Sequence, residues 1–308
     1  MKPETRFDIL VAGEINPDLI LSGNVALQFG QVEKIVDHAA LTIGSSSAIF
    51  ACGAARLGLK VAFVGVCGDD AFGRFMLGEM SKRNVDVSHV IVRKDGQTGL
   101  SVILNNGVDR AILTHPGLIA EIQASDIADD LLVQARHLHV ASYFLQTKLQ
   151  PDLPSLFQRA RLLGLTTSLD TNYDPSEKWL GFDELLAVTN VFLPNEAEAK
   201  SLADAENALN AADRLRSKVE TLALKLGKEG ALGTCGSQKI QVKSISVNVV
   251  DTVGAGDSFD AGFMYGYLNN WDLEKSLRLA CVCGALSTQQ AGGTNGQPTL
   301  EEALHELS

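Results

Sequence analysis

"VVDTVGAGDSFDAGFMYGYL", residues 249–268, sets Gly254, Ala255 and Gly256 directly before Asp257 and then continues as a stretch compatible with a helix. Gly254 and Gly256 let backbone N–H groups turn toward a ligand with no Cβ in the way, and the start of a helix adds partial positive charge. Asp257 falls in that first turn. An aspartate there complements the helix dipole by about 0.3–1 kcal/mol without any function. The flanking glycines need more, since glycine destabilises a helix interior by about 1 kcal/mol. A backbone cradle for a transferring phosphoryl group, with Asp257 accepting the proton of an attacking hydroxyl, accounts for both.

Outward from this stretch, the strand-like runs "DILVAG" (8–13), "KVAFVGV" (60–66), "HLHVAS" (137–142), "TTSLD" (166–170), "TNVFLP" (189–194) and "TLALKLG" (221–227) alternate with helix-length segments. That alternation predicts an α/β fold with a largely parallel sheet, and the near-continuous apolar runs suit a sheet covered on both faces. Two regions break the rhythm: residues 14–42, and the pair "TGLSVILNN" (98–106) and "VDRAILTHP" (108–116), which meet at Asn105-Asn106-Gly107 as a β-hairpin. We expect one domain over residues 1–308, with lid segments 14–42 and 96–118 forming a small β-structure that projects from the main sheet. The last third reads as helical, and Thr299 with Glu302 gives its final helix a capping-box start.

Composition narrows the partners. A chain of 308 residues, 45% hydrophobic and 20% charged, can bury a sizeable core. Its formal net charge of −11 is dispersed, with no cluster of Lys and Arg interleaved with aromatics, so no nucleic-acid partner is expected. No uninterrupted apolar run reaches the roughly 18–20 residues of a membrane helix. The opening "MKPETRFDILVAGE" lacks the basic region, apolar core and cleavage site of a signal peptide, and the expectation is a cytoplasmic protein without membrane contact. Five cysteines without a CxxC pair read as reduced, buried thiols.

Asn, Gly and acidic residues gather where the strands end, which is where open α/β sheets bind ligands. There "DTVGAGDSFDAGF" resembles the second signature of the ribokinase, or PfkB-type, sugar kinases. Three further segments fall in the family's order: "GEINPDLIL" (13–21) resembles its opening sugar-contact segment, "LPNEAEA" (193–199) its NxxE element and "LKLGKEGA" (224–231) its nucleotide-side LGxxG strand and turn. The resemblance runs along essentially the whole chain. It implies a ribokinase-like three-layer α/β/α fold with a small β-sheet lid, and an ATP-dependent kinase acting on a hydroxymethyl group of a small sugar.

The resemblance also implies roles. Asp257 is the base, and the backbone of Ala255, Gly256 and Asp257, headed by Gly254, is the anion hole. Asp18 accepts from sugar hydroxyls, with Asn16, Gly44 and Ser45 beside it. Asn195 and Glu198 hold Mg²⁺ largely through water, because Mg²⁺ keeps several waters in phosphate sites. From the residues alone that pair reads equally as a helix cap with a first-turn acid. Lys225, Gly227 and Gly230 line the nucleotide, and Asp251 helps hold a monovalent cation such as K⁺. The glycines and Asp251 also read as turn residues at strand ends. Whether two lids pair into a homodimer stays open.

The chain departs from the family in places that bear on the substrate. The first signature, a glycine pair followed three residues later by Asn, is here "TIGSSSAIFA" (42–51), with Ile43-Gly44 and then Ala48. Ser45, Ser46 and Ser47 either supply hydroxyls instead or cap the next helix. Lys225 stands where several members carry Thr. "SLDTNYDPSEKW" (168–179) resembles the D-x-N-x-R…W segment of 2-keto-3-deoxygluconate kinases, with Asp174 in place of the Arg. A like charge opposes a sugar acid at close range, so a neutral sugar is expected, with Asn172 as a contact.

Other functions compete for the same residues. A nucleoside kinase or a 2-keto-3-deoxygluconate kinase of the same fold is the enzymatic alternative, and Ile43, Tyr143 and Phe144 would pack against a nucleoside base or the core. A sugar-binding relative without turnover is opposed by the complete base and anion hole. "GSSSA" (44–48) nearly matches a serine-hydrolase elbow, but the late His it needs is His305, in the terminal helix. "GDDAFGRF" (68–75) has Walker A glycine spacing without the Lys-Ser/Thr. His137 and His139 share a strand face with no further metal ligand at the right spacing and are expected in the core.

Overall fold

The strand Phe7–Ala12 sends Ile9 and Val11 into one hydrophobic cluster and Leu10 and Ala12 into another, so it must be covered on both faces. The computed structural model describes residues 5–107 and 109–307. Around that strand one nine-stranded sheet forms in the order Gln238–Val242, Ala231–Cys235, Thr221–Lys225, Val191–Phe192, Thr166–Leu169, Ala135–Val140, Phe7–Ala12, Val61–Val64, Val85–Asp86. Neighbours are parallel except at the first edge, where Ala231–Cys235 pairs antiparallel with both Thr221–Lys225 and Gln238–Val242. Helices Ser46–Arg56, Ala255–Leu268 and Leu273–Ser287 cover one face, and Leu153–Leu162, Phe182–Ala187 and Ala208–Leu215 the other. This is the three-layer arrangement expected.

A separate four-stranded sheet runs His38–Ile43, Pro17–Ser22, Leu100–Asn105, Arg110–His115. Its last two strands make the expected hairpin; Val108, in the connection, lies outside the described residues. Pro17–Ser22 and Leu100–Asn105 pair parallel at its centre, while Arg110–His115 is exposed along its whole length.

The buried histidines are core residues. Ser168 Oγ sits 2.7 Å from both His137 Nε2 and His139 Nδ1, and His139 stacks on Phe50 with ring centroids 3.7 Å apart. Burial holds both rings below the usual histidine range, hence neutral. Thr299 N donates to Glu302 Oε2 at 2.7 Å and Glu302 N to Thr299 Oγ1 at 3.2 Å, which is the capping box read from the sequence. All five cysteines are free thiols and four are buried. Among the described residues no helix is long and apolar enough to cross a membrane.

Candidate active site

The carboxyl ends of Thr166–Leu169 and Thr221–Lys225 bring Asp170 and Lys225 to the first turns of the helix Ala255–Leu268, beside Asp257 and Asp260. Gly254 caps that helix at φ 73°, where a side chain is strained, and a Cβ there would lie 2.7 Å from the Gly293 backbone. Ala255 N reaches Thr252 O at 3.3 Å, and among the described residues nothing accepts from the N–H groups of Gly256 and Asp257. Two open donors at a helix start make an anion site. Asp257 is buried beside them. Burial, reinforced by the charge of Asp170, pushes its carboxyl up to about 8, with Lys225 and the Ser46 hydroxyl pulling the other way. A proton acceptor close to neutrality suits general-base work.

Asp18 opens the central strand of the small sheet, paired with Thr42 on one side and Ser101 on the other. A Cβ on Gly44 would stand 2.2 Å from Asp18 Oδ1 and 2.8 Å from Asn16 O, so only glycine lets this backbone meet the carboxylate. Asn16 Nδ2 lies 3.3 Å from Ser101 Oγ and 3.5 Å from Asp18 Oδ1. Burial pushes the Asp18 carboxyl up to about 7; Arg110 of the hairpin opposes this and Glu14 adds to it.

The three serines divide their work. Ser45 Oγ donates to Glu14 O at 2.7 Å and accepts from Ala48 N at 3.0 Å. Its hydroxyl is therefore committed to the helix cap and is not free to supply a contact. Ser47 Oγ donates to Glu14 Oε2 at 2.6 Å. Ser46 is the serine beside Asp257, where its hydroxyl helps draw that carboxyl down, and it accepts from Asn172 Nδ2 at 2.7 Å. Asn172 Oδ1 in turn accepts from Ser142 N at 3.0 Å, and Ser142 Oγ donates to Glu14 Oε1 at 2.9 Å. Ser45, Ser142 and Asn172 sit at φ 65°, 51° and 54°. Side chains in that region cost on the order of 1–3 kcal/mol each, and such strain collects at functional sites.

At the end of Thr221–Lys225, Lys225 Nζ lies 2.9 Å from Asp170 Oδ2 and 3.0 Å from Asp260 Oδ2. Oxygens of Asp170, Asp257 and Asp260 come within 4.8 Å of one another. Burial works against ionising Asp170, but Lys225 and a hydrogen bond with Asp260 hold it below its usual range. Asp260 is driven up by burial, and Lys225 stays charged despite burial because Asp170 and Asp260 face it. Lys225, Gly227 and Gly230 line one groove with Gly256, Thr252 and Ala285.

Asn195 and Glu198 make a complete capping box at the helix Glu196–Ala203, with Asn195 N donating to Glu198 Oε2 at 2.8 Å and Glu198 N to Asn195 Oδ1 at 3.0 Å. Burial and the charge of Asp170 push Glu198 up to about 7. Each carboxylate oxygen keeps a second lone pair for a water proton, so the pair fits Mg²⁺ through water and not directly. Asp251 accepts from Val253 N at 3.0 Å and Gly292 N at 2.9 Å, which ties the loop before the anion hole to residue 292.

One expectation changes, and an open one closes. Asp174 does not present a charge to a substrate: its carboxylate accepts from Ser176 N, Ser176 Oγ, Lys178 N and Trp179 N at 2.8–2.9 Å, wholly inside its own loop. Ile43 and Tyr143 offer no free platform for a nucleoside base, since both are buried and Tyr143 packs on Phe144 and Phe182 at centroid distances of 5.2 and 5.0 Å. Glu14, Ser142, Asp170 and Asp260 gather here although no sequence motif singles them out. Asp170 ends the run "TTSLD" and Asp260 lies one helical turn past Asp257, so strand-end and i,i+3 spacing were the available signals.

The model of the pfkB family carbohydrate kinases matches residues 7–300. An uncharacterized sugar kinase of Archaeoglobus fulgidus is 34% identical over 251 residues, covering 80% of this chain and 98% of its own. The 2-dehydro-3-deoxygluconokinase of Bacillus subtilis is 30% identical, covering 92% and 91%. The structure of Arabidopsis thaliana ribokinase complexed with ribose and ATP superposes with a TM-score of 0.87 at 22% identity, over 98% of this chain and 99% of that one.

Proposed function

The chain belongs to the pfkB family of carbohydrate kinases, and from that premise we propose that it transfers the γ-phosphate of ATP to a hydroxymethyl group of a small neutral sugar. One observation carries this reading: Gly44 touches Asp18 while Ser46 touches Asp257. Gly44 and Ser46 are two residues apart, at most about 7 Å of chain, so one short segment carries both the hydroxyl acceptor and the base as its neighbours. With other hydroxyls on Asp18, the hydroxymethyl O–H gives its proton to Asp257 as its oxygen bonds the γ-phosphorus. The bond to ADP breaks, its electron pair leaving on the ADP oxygen, and the N–H groups of Gly256 and Asp257 face the phosphoryl oxygens.

Mg²⁺, held through water by Asn195 and Glu198, supplies charge neutralisation on the phosphates. The nucleotide lies along Lys225, Gly227 and Gly230, and a monovalent cation such as K⁺ shares the Asp251 carboxylate. The small sheet closes on the sugar as a lid of a single kinase domain, its exposed strands being the face on which two copies pair, and the enzyme works in the cytoplasm.

With Asp174 turned into its loop, the preference for a neutral sugar rests on the carboxylates of Glu14 and Asp18 and on the amides of Asn16 and Asn172. Arg110 favours a second reading, a sugar acid, because its charge reaches Asp18 from the hairpin. A phosphate-transfer screen with ATP over pentoses, hexoses, ketoses, nucleosides and 2-keto-3-deoxygluconate tests both. Transfer to none of them overturns the kinase reading.

A further inference from the structure

A buried ion pair contributes little net stability, because desolvation offsets the Coulomb gain. This chain nevertheless places an ammonium among three carboxyls next to the anion hole. A Cβ built on Gly256 would meet only Lys225, with Nζ at 3.7 Å and Cδ at 3.8 Å. The lysine stem is thus the wall of the anion hole on that side, and its ammonium rests on Asp170 and Asp260 within a bond rotation of any phosphoryl oxygen lodged over Gly256.

We propose that Lys225 is the catalytic cation of the transfer step, resting on Asp170 and Asp260 and moving one N–H from Asp260 onto the transferring phosphoryl group. Asp170 and Asp260 are then positioning residues. The inference rests on the kinase reading above. Lys225 gains and loses no proton in the step; it exchanges one hydrogen-bond acceptor for another. Asp260 is not orphaned by the exchange, since it also hydrogen-bonds Asp170. The phosphoryl group in flight spreads its charge over three equatorial oxygens, and a fixed cation there counts for more in the transition state than in either bound ground state. A Thr at this position offers a dipole where Lys225 offers a full charge.

The test compares wild type with Lys225→Gln, which keeps donors for Asp170 and Asp260 but no charge, and with Lys225→Arg, which keeps the charge. Rates are read with ATP and the sugar that wild type turns over fastest. Calorimetry gives Kd for ADP and for ADP with aluminium fluoride, a phosphoryl mimic, each in the presence of that sugar and Mg²⁺. Lys225→Gln should lower kcat by about 100-fold and weaken the aluminium fluoride complex by a similar factor, the scale for one transition-state donor. ADP affinity and sugar KM should stay within about threefold, and Lys225→Arg should recover at least about tenfold of kcat. The double variant Lys225→Met/Asp170→Asn, which leaves less charge unpaired, serves if Lys225→Gln does not fold, with the same losses expected. A kcat within threefold of wild type, or equal weakening of ADP and of the aluminium fluoride complex, overturns the proposal. If wild type transfers phosphate to no sugar, the kinase reading falls and takes this one with it.

Discussion

Gly44→Ala isolates the sugar side from the rest of the site. The added Cβ would lie 2.2 Å from Asp18 Oδ1, 2.6 Å from Asp18 Cγ and 2.8 Å from Asn16 O. Ordinary contact needs about 3.5 Å, so the Asp18 carboxylate has to retreat by roughly 1 Å. Its strand is pinned on both sides by Thr42 and Ser101, so the side chain and not the sheet gives way. A displaced carboxylate loses charge-assisted bonds to sugar hydroxyls that contribute about 1.5–3 kcal/mol. That corresponds to about a 10- to 100-fold loss in kcat/KM for the sugar, with the KM for ATP nearly unchanged because neither Gly44 nor Asp18 lines the groove of Lys225, Gly227 and Gly230. Steady-state kinetics with each substrate varied in turn, beside a melting curve, reads the effect. A sugar KM within twofold of wild type in a folded variant refutes the placement of Asp18 at the sugar.

Further outcomes follow from other residues. Asp257→Asn should lower kcat by about 10²–10⁴ while sugar and ATP still bind, the range for a positioned general base; calorimetry and initial rates check it. A neutral sugar should exceed 2-keto-3-deoxygluconate in kcat/KM by at least about tenfold, and if the acid wins, Arg110→Gln should abolish its advantage. Gly78→Ala should stabilise the protein by about 0.5–1 kcal/mol, since Gly78 sits inside the helix Ala71–Lys82 with nothing within 4 Å of a Cβ; denaturant unfolding measures it.

The fold was legible because it follows from local pattern. Apolar runs separated by helix lengths dictate a covered parallel sheet, and Asn105-Asn106-Gly107 dictates a hairpin. The open N–H groups of Gly256 and Asp257 were legible for a similar reason: Gly254 and Gly256 break helix propensity just where a helix begins. What the sequence could not yield was direction. Asp174 reads as a charge facing the substrate until its four donors, all within five residues, turn it inward. Ser45 and Ser46 are adjacent and chemically identical, yet a left-handed backbone at Ser45 puts one hydroxyl into a cap and the other on Asp257. Lys225, Asp170 and Asp260 come from three separate elements, and only packing brings them together.

The same burial that poises the base should make the protein less stable as pH rises, against the common pattern of acid denaturation. Asp257 moves from 3.8 to about 8 on folding, and Asp18 reaches about 7 and Glu198 about 7, each chiefly through burial. Between the unfolded and folded values the unfolded chain has lost a proton that the folded one keeps. Stability from each such group is full below about pH 4 and is lost as pH climbs through its folded value. For Asp257 alone each pH step from 5 to 8 removes up to about 1.4 kcal/mol. Groups held low, such as Asp170, act at the acid end and leave this window alone. Asp257→Asn does not titrate, so it should match wild type near pH 4 and melt higher by several degrees near pH 8, at about 2 °C per kcal/mol. Melting curves of the two proteins at half-unit pH steps decide the matter, and a difference that does not widen with pH would mean that Asp257 ionises freely and is not buried as a poised base.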